Sequence, residues 1–400
     1  MVLEAHRPTL LSFTIIATTC LALSACQYGS LIRISSGTGF LPLARTSLAE
    51  DGTVLAAKAT SLVVGNGTTL ATLDLTPHQL QISVLQPSRP ARIRNGGEIA
   101  LIADHTGVAG CSGPNKGAYH LDASGATLST YFENCPSASV GVVGRDIGFS
   151  PNGTVAFTQI SNGLGAIYRG PAAGPVSILR SGNGTFYNTG GLDVSDAGRV
   201  AVQMEYSDGI AGGLMRGILL FDTPEQDKST VYTAIEKLSV GAQPLVAVNA
   251  SGDVAFSLNE AVAFTIAGTS YSVGPGVFRA TPTLFNTAKA ITPIVDASGP
   301  YCRFGAVDIN DSGTVVFEAA IAGGARCTPA GTVADYDGLF KGPSSITDRI
   351  VFGDESRLGT HQHYDSVRLG EINNSGQVAF LTEARSHPVD PVAVWRWSPM

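Results

Sequence analysis

The sequence predicts an all-β chain: a β-propeller of seven four-stranded blades, the last closed by the N-terminal strand. Three observations predict it. A short phrase recurs seven times, the recurrences fall near a fifty-residue period, and the two ends of the chain each hold part of one repeat.

The phrase reads VNASGDVAF (ending at Phe256), INDSGTVVF (Phe317) and INNSGQVAF (Phe380), with looser copies FSPNGTVAF, VSDAGRVAV, LAEDGTVLA and IRNGGEIAL. Its glycine falls at Gly52, Gly97, Gly153, Gly198, Gly252, Gly313 and Gly376. A glycine ending a tight turn supplies the positive φ that other residues avoid. The Asn three places earlier (Asn249, Asn310, Asn373) is expected to fold onto the backbone two residues on, as an Asx-turn. Ser150 and Ser195 make that bond more weakly, and Arg94 and Ala49 not at all, so those last two corners should be looser. The V-A-F that follows alternates and is β-prone, so each copy is a hairpin corner opening into a buried strand.

The glycines are spaced 45, 56, 45, 54, 61 and 63 residues apart. A second phrase lies within most repeats: GAYHLD, GAIYRG, GILLFD, GVFRA, GLFKG and AVWRW, starting at Gly117, Gly165, Gly217, Gly276, Gly338 and Ala393. A third apolar run follows, as in VSILRSGNG after Pro175. With the run that leads into each corner, this makes about four strands per unit. A solenoid would need shorter, more uniform repeats. After Phe380 only AVWRW remains, so the last unit lacks about two strands. LIRISSGTGF (Leu31 to Phe40) echoes VSILRSGNGTF (Val176 to Phe186), a late strand of an internal unit. The N-terminal segment therefore supplies the missing part and removes exposed sheet edges.

Of 400 residues, 44% are hydrophobic, 14% are charged and 47 are Gly, which suits a turn-rich β protein. Even repeats and uniform composition argue for one domain over 31–400. Net charge is −7 with no basic cluster, which argues against nucleic-acid binding. Arg7 precedes an apolar stretch from Leu10 to Leu23, too short and too quickly interrupted for a membrane span. Leu23-Ser24-Ala25-Cys26 then resembles a bacterial lipobox. That resemblance implies a signal peptide over 1–25, acylation of Cys26 and a short tether over 26–30. Gln27 in second place implies the outer membrane in a Gram-negative cell; in a Gram-positive one the anchor is the plasma membrane. A plain signal peptide is the alternative. Acyl chains of this kind would hold the protein firmly to the membrane.

Four cysteines remain in the exported part: Cys111, Cys135, Cys302 and Cys327. They form two local couples, 24 and 25 residues apart. Export to an oxidising compartment predicts two disulfides, and sequential pairing is the one of three that needs no crossing between blades. A four-cysteine zinc site is the alternative, but no C-x2-C is present.

IGFSPNGTVAFTQI (Ile147 to Ile160) resembles the WD-like repeat of the Tol-system periplasmic propeller. INDSGTVVF, INNSGQVAF, GAIYRG and GLFKG more closely resemble tandem phrases of secreted bacterial repeat proteins with no settled activity. That resemblance implies a propeller-like fold and extracytoplasmic residence. It brings no catalytic residue.

Reactive constellations are sparse. His361, His363 and Asp365 alternate in HQHYD and could supply three metal ligands, but no fourth ligand is adjacent and a loop of solvated polar side chains is the preferred reading. Asp308, Asn310 and Ser312 occupy the first oxygen places of a calcium loop, but Ala319 stands where the bidentate Glu belongs. Trp395 and Trp397 share one strand face, as a sugar-stacking pair would, or as a pair packed between the last two blades. No G-x-S-x-G elbow or P-loop is present. The expectation is a monomeric, membrane-tethered, non-catalytic propeller that binds a protein, peptide or glycan, with no cofactor and no metal. The alternative is a propeller hydrolase or lyase acting on an extracellular polymer at the central channel, marked by Asp, Glu and His converging there.

Overall fold

The computed structural model describes residues 29–400 except 42–43, 83–88, 108–114, 135–141, 162–163, 172–176, 182–185, 208–213, 222–234, 237–245, 260, 267–268, 282–290, 323–326, 328–335, 354–365 and 385–391. Cys26, Cys111, Cys135 and the HQHYD segment lie outside the described residues.

Seven antiparallel sheets stand in a ring. Blades 1 to 6 cover 47–74, 91–134, 142–181, 186–236, 246–296 and 301–352. Blade 7 takes three strands from 366–398 and its outermost from Ser30–Gly37. The closing strand pairs antiparallel with Val392–Ser398, from Ser30 opposite Ser398 to Gly37 opposite Val392. Two blades exceed the four-strand plan. Leu80–Gln81 adds to the second strand of blade 2, and blade 5 inserts a hairpin, Val262–Ile266 with Thr269–Val273. That hairpin accounts for the long spacing between Gly252 and Gly313.

The seven corners share one backbone pattern. The N–H of the Asn-place residue donates to the carbonyl four residues on, and the glycine N–H donates back to the Asn-place carbonyl. All seven glycines have φ between +74° and +88°, the left-handed residue that ends a three-residue hairpin loop. Two expectations are corrected. The Asn side chain spans four residues, not two: Asn249 Oδ1 accepts from Asp253 N at 2.8 Å and Asn373 Oδ1 from Gln377 N at 2.9 Å. The Ala49 and Arg94 corners are no looser, since their backbone bonds (2.9–3.1 Å) match the rest. The glycine conformation sets the turn, and the Asn serves another purpose, described below.

Among the described residues, no blade has a core of its own: the buried apolar residues form seven clusters, each between neighbouring blades. The phrase V-A-F explains how. Val254 and Phe256 fill the gap toward blade 4, while Ala255 faces blade 6. Val378 and Phe380 face blade 6, while Ala379 faces blade 1 beside Val54 and Ile34. Side chains alternate across a strand, so one bulky–small–bulky phrase fills one gap and leaves room for the next blade. Trp395 and Trp397 are both buried in the gap between blades 6 and 7, and the Trp395 indole donates to Thr382 Oγ1. Cys302 and Cys327 form a disulfide within blade 6, tying the segment after the second strand back to the inner strand.

Candidate functional site

The inner strand of each blade has one edge without a sheet partner, and its N–H groups turn toward the ring axis. Buried donors of this kind must find acceptors. Side chains of the preceding blade provide them. Asp193 Oδ2 accepts from Val248 N (2.9 Å), Asp308 Oδ2 from Ile372 N (2.7 Å), Glu371 Oε2 from Leu48 N (2.7 Å) and Ser47 Oγ from Ile93 N (3.0 Å). These four stand two residues before the Asn place in their copies of the phrase. The fifth member, Arg92, donates from Nε to Ile147 O at 3.2 Å. Two places, Gly148 and Ala247, carry no polar side chain.

Burying these carboxylates requires compensating charge. Arg92 pairs with Asp193 and Glu371. Arg89, only 1% exposed, lies 3.6 Å from Asp193 and 3.5 Å from Asp308, and its own N–H donates to Asp146 Oδ1 at 2.7 Å. Further along, Glu318 is fully buried. It pairs with Arg45 at 2.6 Å and accepts from Leu369 N (2.6 Å) and Ala306 N (3.0 Å). Bulges in the inner strands of blades 3, 4, 6 and 7 lie at or next to Asp146, Asp193, Asp308 and Glu371. Burial pushes Asp308 up to about 6, although Arg89 opposes that shift. Burial would raise Glu318 too, but Arg45 and the donated N–H groups hold it below the ordinary carboxylate range.

At the corner face the Asn side chains stitch the same ring. Asn249 Nδ2 donates to Asn310 O, Asn310 Nδ2 to Asn373 O, and Asn373 Nδ2 to Ala49 O, each at 3.2 Å. The last of these crosses from blade 7 to blade 1. One residue on, Ala250 N donates to Asp311, Asp311 N to Asn374, and Asn374 N to Glu50. Three carboxylates therefore gather at the axial mouth: Glu50, Asp196 and Asp311. The Asn374 amide donates to Asp196 at 3.1 Å and Asp311 at 2.9 Å. Burial, with Asp311 and Glu50 adding, pushes Asp196 up to about 6; burial and Asp311 also raise Glu50. The mouth encloses about 70 Å³.

The calcium-loop residues do not converge. Asp308 turns to the axis, while Asn310 Oδ1 is used within its own corner by Ser312 Oγ and Thr314 N. Among the described residues, no group of three His, Cys, Asp or Glu side chains is placed to hold a metal. Sequence reasoning missed the axial network because its members come from six blades. At the place two residues before the Asn, the sequence offers Asp308 only as a calcium-ligand place.

Residues 238–395 match DUF7453, a family of unknown function. No curated protein matches the chain. Among solved structures, a putative gluconolactonase shares 9% identity at TM-score 0.39, with 92% of each chain covered. A gluconolactonase from Xanthomonas campestris shares 10% at 0.36, covering 74% of this chain and 95% of its own. A prolyl endopeptidase shares 10% at 0.47, covering 97% of this chain and 54% of its own. These are distant likenesses and assign no chemistry here. Nothing in them bears on the Tol-type likeness.

Proposed function

We propose that this chain is a cell-envelope lipoprotein, tethered through acylated Cys26, whose propeller is a monomeric, non-catalytic binding or scaffold domain for a protein, peptide or glycan. One observation carries the reading. The buried axial carboxylates each accept a backbone N–H, mostly from a neighbouring blade, and arginines compensate them, so their charge holds the ring together. The LSAC sequence after an apolar stretch supports the anchor, and the tandem phrases liken the chain to secreted bacterial repeat proteins. Among the described residues, no helix is long and apolar enough to cross a membrane. Cys26→Ala is expected to move the protein from the membrane to the soluble fraction. Retention of the variant in washed membranes would contradict the anchor.

A second reading, a hydrolase or lyase at the channel, is favoured by the three carboxylates at the mouth, one titrating near 6. Asp196→Asn separates the two. Asp196 has a folded-state pKa above its unfolded value, so its ionised form opposes folding above pH 6 and that opposition fades as pH falls. The variant is therefore expected to melt higher than the parent at pH 7.5 and equally at pH 4, with ligand capture unchanged. Cleavage of an envelope polymer by the parent, lost in Asp196→Asn, would establish the enzyme instead.

A further inference from the structure

The closing strand enters the ring at the corner face. Ser30 lies opposite Ser398, and the neighbouring Trp397 lies opposite Val378, which follows the blade 7 corner. Gly29 is held at that end: it lies against the Trp397 indole and the Ser398 carbonyl, with no room for a side chain between. Cys26 stands only three residues earlier. Three extended residues span at most about 11 Å, and each headgroup layer of a bilayer is roughly 5–8 Å deep. Acyl chains on Cys26 would therefore bring the corner end of blade 7 to the headgroups.

The same end of the ring carries a second, independent feature. Among the described residues, three large apolar side chains are exposed: Leu70 at 58%, Ile346 at 68% and Met400 at 78%. All three lie on the outer rim of the corner face, on blades 1, 6 and 7. Leu70 opens the fourth strand of blade 1 opposite Gly65, which itself lies opposite Val54 just past the first corner. Ile346 lies in the turn joining the third and fourth strands of blade 6, at the corner end. Met400 lies two residues past Ser398. Both neighbours pack on blade 7 at this rim. Gly67, in the blade 1 turn, lies against Ile32 of the closing strand, and Lys341, opening the blade 6 turn, has its Nζ 5.7 Å from the centre of the Trp397 ring. One exposed Leu needs no explanation, but three such residues on consecutive blades around the tether do. The turns beside them, Asn66-Gly67-Thr68-Thr69 and Pro343-Ser344-Ser345, are polar and uncharged. The equivalent turn of blade 2, from Asp122 to Thr127, has no large apolar residue. A net charge of −7 gives no attraction to anionic lipid, so a membrane contact here is apolar.

We propose that the corner-face rim of blades 6, 7 and 1 docks on the lipid surface that holds the chain, with Leu70, Ile346 and Met400 among the headgroups and blades 3 and 4 held away from the membrane. This rests on the acylated Cys26 of the tethered reading: the acyl chains hold the protein, and the apolar tips set its orientation. The test uses the acylated full chain in vesicles of phosphatidylethanolamine and phosphatidylglycerol with brominated acyl chains, which quench tryptophan on close contact. Ile346→Trp and Leu70→Trp report the rim. Thr38→Trp reports the opposite end of blade 7, and Ala197→Trp the corner of blade 4 across the ring; both positions are exposed. Trp395 and Trp397 are buried, and the parent's signal is subtracted. With tips at the usual depth of about 5–10 Å, quenching at the rim is expected to be at least about twofold that at either control. Adding Leu70→Asp and Met400→Asp to Ile346→Trp should lower its quenching to the control level while the protein stays on the vesicles with an unchanged melting temperature. Equal quenching at rim and control positions in vesicle-bound protein, or undiminished quenching in the Asp variant, would overturn the docked rim and leave the tether standing. Protein that fails to stay on the vesicles would instead defeat the tether, and the docked rim with it.

Discussion

Replacing Arg89 with Met is expected to destabilise the fold by about 3–5 kcal/mol, the usual cost of leaving buried charge without its partner. Arg89 lies between Asp193 and Asp308, and almost none of it reaches solvent. Methionine fills much of the same volume, so the loss would be electrostatic and not a cavity effect. The pH dependence identifies the cause. Without the guanidinium, the folded-state pKa of Asp308 rises further above its unfolded value. Stability opposed by an ionised carboxylate returns as pH falls toward the unfolded pKa. The deficit should therefore be largest at pH 8 in urea titrations and should shrink by pH 5. Adding Asp308→Asn to Arg89→Met should recover part of it. A deficit that is constant with pH would show that Arg89 acts through packing instead.

Glu318→Gln is the second large effect, again about 3–5 kcal/mol. Glu318 joins three blades: it sits in blade 6, pairs with Arg45 ahead of blade 1, and accepts from Leu369 N in blade 7. Glutamine keeps the shape but leaves the Arg45 guanidinium buried without a counter-charge. The amide also places a donor where two backbone N–H groups need acceptors. The sign of the pH effect differs from that of Arg89→Met in origin. Glu318 has a depressed folded-state pKa, so its contribution is present above the unfolded pKa and is lost as pH falls through the folded one. Parent and variant should converge only at strongly acid pH. Equal urea midpoints at pH 7 would contradict the assigned role.

Much of this architecture was legible in the chain. The corner glycines and the V-A-F alternation carry local information, because a turn needs its positive φ and a strand needs its period of two. The closing strand was legible from Leu31–Phe40, since a strand filling the same slot in its blade keeps similar side chains. The blade 5 hairpin showed only as a long interval. The Asn was read as a local turn device, whereas its amide nitrogen reaches the next blade, as Asn373 does to Ala49. The axial network was not legible at all. Arg89 meets Asp308 across 219 residues, and no spacing rule connects them before the ring is assembled.

The account depends on neighbouring blades burying each other's faces, with blade 7 meeting blade 1 through the closing strand. The most direct measurement is a cross-link at that junction. Ser30 and Ser398 face each other at the end of the closing pair, and cross-strand partners lie within disulfide reach. In Ser30→Cys with Ser398→Cys, mild oxidation and non-reducing peptide mapping should recover the N-terminal and C-terminal peptides joined within one chain. Free thiols at both positions in folded protein, or linkage only between separate chains, would contradict the closed ring.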